Sequence, residues 1–175
     1  YGFSGWHACD GYGHPRLPVS QGDFSDDVVA QFMQANPEIT LPEKLDLPER
    51  ADWILRNARL AWCRFYAQRH AEFIARAAKA LKAEGLSIWL NTCWTCDPFE
   101  ALYRYGEDYR LLAKAGIDGF FSEASATVLT LEGWGRSEIS KLDLCRAALL
   151  RTAGCVRLPL VDLACVKDGM EQYNS

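Results

Sequence analysis

The chain has 175 residues, 49% of them apolar and 24% charged, which excludes a disordered polymer and allows one domain with a real core. Its net charge of -4, with lysines and arginines scattered along amphipathic stretches, excludes the basic footprint of a nucleic-acid binder. No apolar run approaches the roughly 18 residues of a bilayer span, so no membrane partner is expected.

The first element is read from GWHACDG, residues 5–11. Tyr1 to Cys9 is an apolar run that breaks into a loop as it delivers Trp6, His7 and Asp10. A run of this kind, near-continuous rather than alternating, predicts a strand covered on both faces. The stretch 11–47 is rich in proline and reads as an elaborated loop with one short helix, from Ser25 to about Gln34, capped by Ser25 and carrying Asp26 and Asp27 in its first turn. From about Glu49 to Glu84, Ile54, Ala58, Trp62, Phe65, Phe73, Ala77 and Leu81 recur near helical spacing, which predicts one long helix stopped by Gly85.

Leu86 to Thr92 is a second strand. Asp97-Pro98-Phe99-Glu100 then reads as an N-cap, a proline at the first helical position and a capping-box glutamate, opening a helix that runs to Gly116. Ile117 to Ser122 is a third strand, Ser137 to Ala153 a helix stopped by Gly154, and Val156 to Val166 a fourth strand. Strands alternating with helices imply parallel strands joined by right-handed crossovers. No glycine-rich phosphate loop follows any strand, which argues against a dinucleotide-binding sheet. Every strand instead ends in polar or aromatic residues, and a barrel gathers such ends around one pocket. The expectation is an α/β chain: a single incomplete (β/α)8 TIM-barrel domain over 1–175, about half of a catalytic barrel, with the rest of that barrel as its partner and a long loop insertion at 11–47.

Two carboxylates lead the chemistry. Asp10 is either a turn residue of an Asp-Gly pair or a catalytic acid flanked by Trp6, His7, Tyr12 and His14, aromatic and polar company of the kind a sugar subsite uses. Glu123, in FFSEASAT, follows an apolar run and precedes small residues. A buried unpaired carboxylate there is costly unless it is protonated or hydrogen-bonded, so the position reads as a site residue, the plain alternative being a pairing with arginine. Two strands apart on a barrel rim, Asp10 and Glu123 can straddle a glycosidic bond, with either retaining or inverting geometry. Asn91, Trp94, Trp134, Asp168 and Glu171 are candidate substrate-binding groups, Arg16 and Arg136 sit in neighbouring loops, and Asp97 reads first as a helix cap.

Cys93-Trp94-Thr95-Cys96 is a CxxC motif. It admits a redox pair or half a zinc site, but there is no second CxxC, and His7, His14 and His70 lack zinc spacing, so no metal or organic cofactor is expected. Seven cysteines, an odd number falling mostly inside predicted elements, point to reduced thiols in a reducing compartment, the cytoplasm.

The stretch YGFSGWHACDGYG resembles the strand-four segment of family 66 glycoside hydrolases, the dextranase-like enzymes, in which a Gly-Phe-x-Gly-Trp/Phe-x-x-Asp pattern delivers the nucleophilic aspartate. WLNTCWTCDPFEALYRYGEDYR and GIDGFFSEA are similar to uncharacterised bacterial barrel proteins related to glycosidases. The resemblance implies Asp10 as nucleophile, Glu123 from strand six as acid/base, an oligo- or polysaccharide substrate and a double displacement without cofactor. Cys9, before the aspartate, departs from the family's apolar residue, and the first loop is long. Three other readings stand beside it: a glycosidase using Glu123 and Glu171, a carbohydrate-binding barrel without catalysis, and a thiol oxidoreductase using Cys93 and Cys96.

Overall fold

A computed structural model describes residues 2–8, 17–93, 95, 97–122, 150–156 and 158–162. The chain is α/β. Four parallel strands, β1 (Gly5–Ala8), β2 (Ser87–Asn91), β3 (Gly119–Ser122) and β4 (Leu160–Asp162), form one sheet in the order β1-β2-β3-β4. The register pairs Trp6 with Ile88, His7 with Trp89, Asn91 with Phe121 and Phe121 with Val161. β2 stops one residue short of the apolar run Leu86 to Thr92 at each end, and β3 starts two residues into the run Ile117 to Ser122.

Alternation along the strands separates two faces. Ala8, Ile88, Leu90 and Phe120 point to one face, where they form a core with Ala71, Ile74 and Ala78 of α3 (Arg59–Ala83) and with Tyr109 and Leu112 of α5 (Tyr109–Lys114). Val156 and Cys155, just after a helix end at 150–153, pack on the same core. The helical segments that follow β1, β2 and β3 thus contribute to one core on one face of the sheet. His7, Trp89, Asn91 and Phe121 point to the other.

A second core gives the N-terminal excursion a structure of its own. Val19 from a short turn (Val19–Gln21), Phe24, and Val28, Val29 and Phe32 of α1 (Asp26–Ala35) close over Ile54 of α2 (Leu47–Asn57) and over Trp62, Cys63 and Phe65 of α3. Trp62 is wholly buried, stacks on Phe24 at 4.7 Å and donates its indole N–H to the Val19 carbonyl at 3.2 Å. Arg50 ties α2 to the start of α1 through the Asp26 carboxylate and the Phe24 carbonyl. The described part of the stretch expected as a loop, 17–47, is therefore packed structure around its own apolar cluster. Ser25 is the N-cap residue of α1 by position, yet no side-chain cap bond forms; its own N–H donates to Asp23 instead.

Two helices expected to be continuous are broken. The long helix divides at Ala58 (φ -135°, ψ 21°) into α2, with a full capping box between Asp46 and Glu49, and α3. The bend lets Ile54 and Trp62 meet in the second core, although Ala58 carries no breaker signal. The helix after β2 is also interrupted. Asp97 caps α4 (Pro98–Glu100) by accepting the Glu100 N–H at 2.8 Å, and the chain continues as a π-helical turn (Ala101–Tyr105). Gly106 then enters the left-handed region at φ 65°, and Asp108 starts α5 by accepting two backbone N–H groups. The stop of α3 follows the sequence: Gly85 (φ 73°) donates to Lys82 and Leu86 to Leu81, a Schellman pair. The helix read from Ser137 lies outside the described residues except for its end at 150–153.

Candidate functional site

The face of the sheet turned away from the described helices gathers side chains from three strands. His7 projects from β1, Asn91 is the last residue of β2, and Phe121 lies near the end of β3. The His7 Nε2–H donates to Asn91 Oδ1. The His7 and Phe121 rings lie 4.3 Å apart, and Trp89 meets Phe121 at 5.3 Å. Asn91 is almost fully buried while His7 is exposed, so the pair joins a fixed amide to an accessible imidazole. Aromatic planes beside an accessible imidazole held by a buried amide at strand C-termini can hold a polar ring with apolar faces.

A second constellation lies immediately beyond β2. The Cys93 N–H donates to the Tyr109 hydroxyl at 3.1 Å, and the Cys93 thiol donates to Glu107 Oε2 at 2.5 Å. Glu107 is wholly buried and Cys93 is 1% exposed. Burial raises the Tyr109 phenol well above the usual tyrosine range, and the neighbouring Glu107 and Cys93 push it further the same way, so the group stays neutral; Thr95 hydrogen-bonds to it. Thr95 also donates its N–H to the Cys93 carbonyl at 2.9 Å. Cys63 is different: burial raises its thiol, which donates to the Tyr103 carbonyl. Cys63 and Cys155 are free thiols.

Among the residues singled out from sequence, His7 and Asn91 are brought together. Trp6 is not with them: it sits on the opposite face of β1 and packs against the sheet-helix core, since neighbouring strand positions face opposite ways. Asp97 is a helix cap. Asp10, Tyr12, His14, Arg16, Trp94, Cys96, Glu123, Trp134, Arg136, Asp168 and Glu171 lie outside the described residues. Glu107, Tyr109, Trp89 and Phe121 were not singled out. Gly106 and Asp108 around Glu107 were the available signal, a stop and a cap that expose the intervening residue to a different environment from the helix itself.

Among the described residues no group of three His, Cys, Asp or Glu side chains can hold a metal ion, and no helix is long and apolar enough to cross a membrane. A cleft of about 510 Å³ lies between α4, α5 and the 150–155 segment, lined by Phe99, Leu102, Tyr109, Arg151 and Cys155 among others. It belongs to the helical layer and includes neither His7 nor Asn91. Comparison with protein-family models, curated proteins and solved structures found no match to this chain.

Proposed function

We propose that the chain is part of a (β/α)8 barrel that hydrolyses O-glycosidic bonds. The observation that carries the reading is the convergence of His7, Asn91 and Phe121 from three consecutive parallel strands on the face that the helical core leaves open. Sequential strand order with crossovers that return on the same side is how a sheet curls toward closure, its free face becoming the barrel interior. In sequence, Asp10 follows Ala8 by two positions and Glu123 follows Ser122 directly, so both carboxylates come just after strands that contribute to this cluster.

The reaction is a double displacement. The Asp10 carboxylate attacks the anomeric carbon while Glu123 gives its proton to the departing glycosidic oxygen; Glu123 then takes a proton from water, and that water releases the sugar from the Asp10 ester. His7 and Asn91 bind sugar hydroxyls, and Phe121 and Trp89 lie along a ring face.

The test uses the whole protein that carries this chain and a panel of aryl glycosides with activated leaving groups. A 2-deoxy-2-fluoro glycoside is expected to trap a covalent adduct on the peptide containing Asp10, and Asp10→Asn to lose about 10⁴-fold or more in turnover. An adduct on Glu171 moves the nucleophile there. Sugar binding without turnover, unaffected by Glu123→Gln, replaces the hydrolase with a binding barrel.

A further inference from the structure

The cleft between α4, α5 and the 150–155 segment takes no part in the glycosidase reading, and its side chains have a chemistry of their own. We propose that it binds a free aromatic amino acid as the zwitterion. Its volume of about 510 Å³ lies inside the roughly 300 to 1,000 Å³ of small-molecule sites. Part of its lining is apolar: Pro98, Leu102 and the ring of Phe99, which is 67% exposed and stacks on Tyr103 at 5.6 Å with 13° between the planes. A ring backed in this way is a fixed plane on which a second aromatic ring packs.

The rest of the lining carries both signs of charge, Asp97 and Asp108 against Arg110 and Arg151. Each aspartate uses Oδ1 to accept backbone N–H groups of the helix it caps. Among the described residues no bond reaches Oδ2 of either aspartate, and none leaves the Arg110 guanidinium. Both signs are therefore still on offer to a ligand. A ligand with a single charge meets its own sign as well as the opposite one, whereas a zwitterion satisfies both, its carboxylate on Arg110 and its ammonium on Asp108. Asp108 and Arg110 are separated by one residue and border the same cleft. That closeness suits an α-amino acid, whose ammonium and carboxylate share one carbon. The cleft includes neither His7 nor Asn91, so this site and the proposed glycosidase stand or fall separately.

The experiment titrates the whole protein that carries this chain, by calorimetry, with L-phenylalanine, with 3-phenylpropionate, which lacks the ammonium, and with 2-phenylethylamine, which lacks the carboxylate. A parallel assay alkylates the half-buried Cys155 thiol, which borders the cleft, and maps its peptide. L-Phenylalanine is expected to bind with a Kd below about 1 mM, to slow Cys155 alkylation, and to bind about tenfold or more tightly than either analogue. Asparagine caps a helix as well as aspartate does, so Asp108→Asn is expected to keep its melting curve and lose most of the preference over 3-phenylpropionate. Arg110→Gln is expected to lose most of the preference over 2-phenylethylamine. Binding of either analogue as tight as that of L-phenylalanine overturns the assignment, as does binding that leaves Cys155 alkylation unchanged, no binding at about 10 mM, or preferences that both substitutions leave within about twofold of wild type. If a variant does not fold, the three ligands on wild type decide the matter.

Discussion

Asp118 and Ile88 exchange two hydrogen bonds: the Ile88 N–H donates to Asp118 Oδ2 at 2.8 Å, and the Asp118 N–H donates to the Ile88 carbonyl at 2.8 Å. The reciprocal pair sets the start of β3 against β2, and Lys82 at the end of α3 reaches the same carboxylate at 3.1 Å. The Ile88 N–H, with the Lys82 ammonium adding to it, holds the Asp118 carboxyl below the usual aspartate range. A carboxyl that is more acidic in the folded chain stabilises it above its unfolded pKa, and the contribution is lost as pH falls through the lowered folded value.

Asp118→Ala is therefore expected to lower stability by about 1 to 2 kcal/mol at neutral pH, mostly through the orphaned Ile88 N–H, since the partly exposed Lys82 pair counts for little. The gap between variant and wild type is expected to narrow under acid as Asp118 becomes protonated. Urea unfolding across the acid range checks this, and a gap that stays constant with pH contradicts it.

Trp62 joins α1, the Val19 turn and α3 in one contact set, with Phe32 edge-on at 4.9 Å. Trp62→Ala is expected to cost about 3 to 5 kcal/mol, the range for removing a buried aromatic, and Trp62→Phe less, because the ring packing survives while the bond to Val19 is lost. Chemical denaturation with circular dichroism measures both.

Gly119 lies beneath the Trp89 ring; a Cβ there would sit 2.3 Å from the nearest ring carbon. Gly119→Ala is expected to push Trp89 off Phe121 and to cost about 1 to 3 kcal/mol in overpacking. The thermal midpoint should fall and near-ultraviolet dichroism change. An unchanged spectrum would mean that the ring does not cover this position.

Asn91→Ala removes the acceptor that holds His7. On the proposed function, kcat/KM toward the best aryl glycoside is expected to drop about 5- to 150-fold, the equivalent of roughly 1 to 3 kcal/mol for an unmade buried hydrogen bond. Steady-state kinetics and a parallel melting curve separate this from loss of fold.

Local chemistry made much of the scaffold readable. The apolar runs around Trp6, Leu90 and Phe120 announced strands, and Gly85 and Asp97 marked a helix stop and a helix start through backbone geometry and capping that need only a few neighbouring residues. The breaks at Ala58 and Gly106 were missed for different reasons. Ala58 is a good helix former that bends where two distant apolar surfaces meet, and the signal at Gly106 was outweighed by helical spacing on both sides.

What the amino-acid order determined by itself was the alternation of strands and helices and the delivery of His7 and Asn91 to strand ends, because hydrophobic period and capping are short-range properties. What only the tertiary structure decided was which side of β1 each residue serves, sending Trp6 to the core and His7 to the open face, and that Glu107 is buried against Cys93. Both depend on strand pairing and helix packing across tens of residues, where the partner of a side chain is set by the register of the whole sheet rather than by its neighbours in the chain.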